Sequence, residues 1–98
     1  MNIHSTKNGT ERVLALEGRL DTMTAPVLEA ELKDALSGVE TLVLDFEKLE
    51  YISSAGLRVL LVAKKVMQQR GGMKLLHVNE TIMDVFKVTG FTDFLTIE

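Results

Sequence analysis

Residues 41 to 72, TLVLDFEKLEYISSAGLRVLLVAKKVMQQRGG, constrain the fold more than any other stretch of this chain. The stretch opens on a short apolar run, Leu42, Val43 and Leu44, tightly bounded by polar residues, the pattern of a strand buried on both faces. It closes with about four turns of helix that end at Gly71 and Gly72. Between strand and helix lies the polar segment Glu47 to Ser54, expected to be a connection. Its last residues, Ser53 and Ser54, stand where a helix needs a cap for amide donors that have no partner inside it. A helix start also favours negative charge, so a phosphate on Ser54 is compatible with such a fold. The plainer role for a serine here is a cap alone.

At 100° per residue, Val59, Val62, Ala63, Val66 and Met67 gather on one side of the helix, with Leu60 turned toward the same side. Arg58, Lys64, Lys65, Gln68 and Gln69 gather on the other, and Ser54, Leu57 and Leu61 fall with them. Two leucines one and two turns from a serine at the helix start suggest a docking surface with a modifiable residue at its edge. The alternative is that a neighbouring helix covers them.

The remaining elements follow in order. Asn2 to Ser5 and Val13 to Leu16 read as strands joined at the turn signal Lys7-Asn8-Gly9, an antiparallel pair. A loop from Gly18 to Thr24 contains Asp21. A helix over Ala25 to Leu36 has Thr24 as its cap, Pro26 in the first turn, and Leu28, Leu32, Ala35 and Leu36 as its apolar stripe. After the central strand and helix, Met73 to Val78 reads as a buried strand. Asn79 caps a helix in which Ile82, Val85, Phe86 and Thr89 keep helical spacing up to Gly90, and Phe94 to Ile97 is a last strand. Alternating strands and helices from Thr41 onward require right-handed crossovers and a parallel core. The expected fold is therefore α/β, one domain over residues 1 to 98, with a mixed sheet made of an N-terminal antiparallel hairpin plus parallel strands, packed by three to four helices.

Composition narrows the function. The 98 residues are 46% hydrophobic, enough for one core and too few for two. The net charge of -3 is uneven: residues 1 to 56 hold 5 Lys/Arg against 10 Asp/Glu, and residues 57 to 98 hold 6 against 4. No basic stripe with interleaved aromatics points to nucleic acid. With no cysteine, a disulfide framework and a thiolate ligand or nucleophile are excluded. The polar start MNIHSTKNGTE lacks the apolar core of a signal peptide, and no apolar run approaches a membrane span, so a cytoplasmic protein with no membrane partner is expected.

Catalysis finds little support. His4 and His77 both fall in expected strands, where histidines are usually structural, and neither belongs to a metal-ligand motif. Ser54 sits in S-S-A-G-L, which lacks the first glycine of a nucleophile elbow. No glycine-rich phosphate loop is present, so neither a nucleotide nor another cofactor is expected. Asp45, at the end of the central strand, and Asp21, in the loop before the first helix, are both expected near the rim where Ser54 lies, the end at which parallel sheets place ligands. Solvated loop acids that cap turns are the competing reading.

Leu42-Val43-Leu44-Asp45-Phe46 followed by Tyr51-Ile52-Ser53-Ser54-Ala55-Gly56-Leu57 resembles the signature of the STAS domain, in particular of bacterial anti-sigma factor antagonists. Gly18-Arg19-Leu20-Asp21 with Ala25-Pro26 resembles the family's second motif, and Val88-Thr89-Gly90-Phe91 its third. The usual family pattern is aspartate, serine, serine or threonine, glycine, leucine, with the first serine phosphorylated. Aligned on Gly56 and Leu57, Ser54 takes the phosphorylated place, Ser53 replaces the aspartate and Ala55 the following hydroxyl residue. The resemblance implies a non-enzymatic partner switch: the unmodified protein binds an anti-sigma factor that is also a serine kinase and frees the sigma factor. Phosphorylation of Ser54 breaks the complex and a serine phosphatase restores it. Asp21, Ser53, Ser54, Gly56, Leu57, Arg58 and Leu61 are the expected contact residues. A phosphorylation-independent scaffold subunit of a signalling or lipid-transport complex is the alternative.

Overall fold

A computed structural model describes all residues, 1–98, as nine elements. In chain order these are β1 (Asn2–Asn8), β2 (Glu11–Leu20), α1 (Ala25–Ala35), β3 (Thr41–Ile52), α2 (Ser54–Met67), β4 (Met73–Leu76), α3 (Glu80–Thr89), a 3-10 turn (Phe91–Asp93) and β5 (Thr96–Ile97). The five strands form one sheet in the order β1-β2-β3-β4-β5; β1 runs antiparallel to β2 and the other three pairings are parallel. Because each parallel strand is added on the same side of the last, right-handed crossovers place every helix on one face of the sheet. The other face is left without a helical cover. The mixed sheet and three α-helices agree with the sequence reading.

The core lies between the sheet and the helices. It is a cluster of 23 residues to which β2 sends Leu14, Leu16 and Leu20, β3 sends Leu42, Leu44 and Phe46, and the helices send Leu28, Leu60, Met67, Ile82 and Phe86. Period-two alternation accounts for these strand residues. Val43 is buried as well but lies outside the cluster, as its opposite direction requires. The β1–β2 hairpin closes through Gly9-Thr10 rather than at Lys7-Asn8, which are paired with Arg12 and Glu11. Gly9 alone has positive φ there (65°), the requirement of a two-residue turn with glycine first.

The largest departure from expectation concerns Glu47 to Ser54. The segment is not a connection: β3 runs on to Ile52. Two β-bulges explain why it did not read as a strand. Ala15 pairs with Asp45 and Glu17 with Lys48; Gly18 pairs with Leu49 and Arg19 with Tyr51, so β3 carries one extra residue at each step. The core positions beyond Phe46 are therefore Leu49 and Ile52, three residues apart, and the alternation that marks a strand is lost.

Helix boundaries fall close to expectation, and their caps differ. Asn79 caps α3 by accepting from the Ile82 amide at 2.8 Å, and Gly90 ends it in the left-handed conformation. Thr24 stands at the N-cap of α1 but does not cap it. Its hydroxyl instead donates to the Arg19 carbonyl at 2.7 Å and accepts from the Asp21 amide at 2.9 Å, closing the loop from β2. At the opposite end, Arg70 after α2 donates to the carbonyls of Leu36 and Val39, tying the ends of α1 and α2 together.

Candidate functional site at the start of α2

The ends of β2 and β3 deliver the site. Leu20 and Ile52 are paired, and the Ser53 amide donates to the Leu20 carbonyl at 2.9 Å, so Asp21 and Ser53 leave neighbouring strands side by side. Ser53 is extended (φ -103°, ψ 178°) and its carbonyl accepts the first helical bond, from Leu57, at 3.0 Å. The amides of Ser54, Ala55 and Gly56 consequently have no intrahelical acceptor.

The two serines occupy different environments. The Ser53 side chain makes no cap hydrogen bond, and its Oγ is buried without a partner. Ser54 is the first helical residue and is exposed. Only Ser54 thus presents a hydroxyl to solvent. Gly56 is needed for the helix to start here, because a Cβ at that position would stand 2.7 Å from Leu20 Cγ and 2.8 Å from Ile52 Cγ1.

Asp21 is held by its own loop. Its Oδ1 accepts from the Met23 amide at 3.0 Å and the Thr24 amide at 3.1 Å. Partial desolvation acts to raise its pKa. The Thr24 and Met23 amides, the Thr24 hydroxyl and the Arg19 charge outweigh it, and the carboxyl sits below the ordinary aspartate range. Arg19 lies 3.8 Å from Asp21 and stacks over the Tyr51 ring at 4.2 Å. Arg58 is exposed on the first turns of α2 and forms no ion pair, lining a cleft with Thr22, Pro26, Glu29 and Ala55.

The expected pair of exposed leucines does not exist. Leu57 is only 7% exposed and belongs to the core cluster, and Leu61 is half-buried. The face of α2 turned to the sheet carries Leu57, Leu60, Ala63 and Met67. Val62 and Val66, expected inside, are exposed and face a groove against Leu32 of α1 and Leu36 just after it. Counting valines misplaced the face by part of a turn, because the leucines and Met67 hold the larger apolar area. Large apolar side chains are exposed instead at Met23 (82%) in the loop before α1, at Val27 (51%) on α1 and at Val62 (52%) on α2.

Asp45 is not at this rim. It lies within β3, paired with Ala15 and Leu76, on the helix-free face. There its Oδ1 stands 2.9 Å from Nδ1 of His77, which follows β4 with φ 58° rather than sitting within a strand. This pairing was not readable from sequence, since the partners are 32 residues apart and meet only through the β3–β4 register.

These features define a small two-layer α/β domain with a mixed sheet, helices on one face and an exposed serine at an open helix start. The particular family is the STAS domain family, to which this chain belongs: residues 3–97 match the family model described as "Mlab, STAS domain". A protein of Bordetella bronchiseptica described as an anti-sigma factor antagonist, BtrV, is 39% identical over 87 residues, covering 87% of this chain and 75% of that protein. The anti-sigma-B factor antagonist of Bacillus subtilis is 26% identical over 98 residues, covering 99% and 90%. In fold, the chain is similar to an anti-sigma factor antagonist from Mycobacterium paratuberculosis (TM-score 0.89, 20% identity, 98% and 83% covered). It is likewise similar to the unphosphorylated antagonist SpoIIAA (TM-score 0.77, 21% identity, 99% and 87% covered). No helix is long and apolar enough to cross a membrane.

Proposed function

We propose that this STAS domain is an anti-sigma factor antagonist that works as a partner switch. The unmodified domain binds an anti-sigma factor, itself a serine kinase, and so frees a sigma factor. Phosphorylation of Ser54 breaks that complex, and a serine phosphatase resets it. Residues 1–98 act as one domain in the cytoplasm, without catalysis of their own. The observation that carries this reading is the exposure of Ser54 at the first position of α2, with Ser53 turned inward.

The physical chemistry of the switch is local. A phosphoserine brings about -1.5 to -2 charges at neutral pH, and the open amides of a helix start tolerate them. Inside a partner interface the same charge must be desolvated beside the ionised Asp21, which costs several kcal/mol. Binding is therefore lost with no change of fold. Arg58, Asp21, Leu61 and the exposed Met23, Val27 and Val62 supply the contact, whereas Leu57 and Gly56 act from beneath by holding α2 on the sheet.

A second reading is supported by Ser53, which stands where the family pattern has aspartate. It makes the domain a constant scaffold subunit, indifferent to phosphate. Treatment with the cognate kinase and ATP separates the two. Intact mass should show one added phosphate, absent from Ser54→Ala and retained in Ser53→Ala, and the modified protein should release its partner. A phosphate that persists in Ser54→Ala overturns the assignment; a complex that survives phosphorylation favours the scaffold.

A further inference from the structure

The helix-free face of the sheet holds three side chains with metal-ligating atoms: Asp45 and Glu47 from β3, and His77, the first residue after β4. One ligand atom from each lies within 4.8 Å of the others. The fold builds this convergence from separate parts. Residues 45 and 47 flank the position where the first bulge of β3 begins, and bulges redirect side chains in this way. Asp45 pairs with Leu76 at the last rung of the β3–β4 ladder, so His77 leaves the sheet beside it.

Asp45 keeps one of its ligand atoms free. Asp45 Oδ1 receives the Glu47 amide at 3.0 Å and faces His77 Nδ1 at 2.9 Å, which leaves Oδ2 without a hydrogen-bonding partner in the protein. Asp45 is half-buried, whereas Glu47 and His77 are exposed and free to adjust. No lysine or arginine neutralises either carboxylate: the neighbouring Lys48 lies 3.8 Å from Glu17.

We propose that Asp45, Glu47 and His77 form a binding site for a divalent transition-metal cation, Zn2+ being the best match. One imidazole nitrogen with two carboxylate oxygens is a donor set that zinc accepts, whereas Mg2+ and Ca2+ prefer oxygen alone. Bonds of about 2.0 to 2.1 Å at tetrahedral angles put ligand atoms about 3.3 Å apart, within the range these side chains span. A cation there joins β3 to the segment between β4 and α3, and it lies on the face of the sheet opposite the helices. It therefore stabilises the domain without occupying the surface around Ser54.

The test is calorimetric titration of ZnCl2 into the untagged chain after removal of metals with EDTA. The parent should bind one equivalent, and its melting temperature should rise with added zinc. His77→Asn, chosen because asparagine tolerates a left-handed backbone, should weaken binding at least tenfold and abolish the thermal shift. Asp45→Asn should also weaken it at least tenfold. His4, the only other histidine, borders the same cavity as Asp45 and Glu47, so His4→Gln tests whether the site is confined to the three named ligands, and it should leave binding unchanged. Circular dichroism of each variant establishes that it is folded. No saturable binding by the parent, equal binding by His77→Asn, or loss in His4→Gln would each overturn the proposal.

Discussion

Gly56 of α2 lies so close to Leu20 of β2 that a Cβ on the glycine would stand 2.7 Å from Leu20 Cγ. Ile52 Cγ1 closes the same space at 2.8 Å, and both neighbours are buried, so neither can swing aside. Helix propensity alone would favour alanine at position 56 by about 1 kcal/mol. Overpacking a dense core costs about 1 to 3 kcal/mol and opposes it, and contacts under 3 Å to two buried side chains put this site at about 2 to 3 kcal/mol. Gly56→Ala is therefore expected to lose about 1 to 2 kcal/mol in urea denaturation and to weaken partner binding by displacing the start of α2. An unchanged unfolding midpoint would mean that the helix start is not seated on Leu20.

Core and contact on α2 are separated by substitution. Leu57→Ala removes a side chain in the core cluster and should cost about 2 to 5 kcal/mol. Val62→Ala, at a position 52% exposed, should change stability by less than about 1 kcal/mol while weakening the complex with the anti-sigma factor. Thermal melts paired with binding isotherms read both effects. If Val62→Ala binds as the parent does, the contact lies on the Asp21 and Ser54 side alone.

Much of the fold was legible because local signals agreed with global ones. Gly9, Pro26, Asn79 and Gly90 mark a turn, a helix start, a cap and a stop, and each sits at or next to its expected place. The failures have a common cause in tertiary context. The bulges in β3 replaced a period of two with a period of three, so Leu49 and Ile52 looked like isolated apolar residues in a loop. The face of α2 was set by which side chains fill the space over β3, and that is not a property of the helix alone. Ser54 was placed correctly at the helix start, yet the burial of Ser53 and the pairing of Asp45 with His77 depend on residues from other elements.

The Asp45–His77 pair gives the domain a pH dependence. The hydrogen bond to Asp45 and the charge of Asp45 outweigh desolvation and raise the His77 pKa above its ordinary 6.5, with a lesser contribution from Glu47. Desolvation raises Asp45, but the His77 hydrogen bond, the Glu47 amide and the His77 charge bring it below its ordinary 3.8. A raised histidine contributes stability that is complete below its unfolded pKa and is lost as pH rises through its folded pKa. A depressed aspartate contributes stability that is present above its unfolded pKa and is lost as pH falls through its folded pKa. The pair thus stabilises most between about pH 4 and pH 6.5. With EDTA present, the difference in melting temperature between the parent and His77→Asn should be largest in that window and shrink on either side. A difference that grows from pH 6 to pH 9 would contradict the pairing.

Neither Ser53 nor Ser54 should respond to substitution as a capping serine does. Replacing a capping serine with alanine typically costs about 1 kcal/mol, because an amide loses its acceptor. Ser53 makes no such bond, and its Oγ is buried without a partner, so Ser53→Ala removes an unsatisfied group and should be neutral or stabilising. Ser54→Asp places a carboxylate on exposed chain beside the open amides of α2, an arrangement worth about 0.3 to 1 kcal/mol at a helix start and offset in part by Asp21. Its stability should stay within about 1 kcal/mol of the parent while partner affinity falls at least tenfold, as the phosphoserine would require. Paired denaturation and binding measurements decide both. A loss of more than 1 kcal/mol in Ser53→Ala would show that Ser53 caps the helix after all, and Ser54→Asp bound as tightly as the parent would leave charge at that position without a role in the switch.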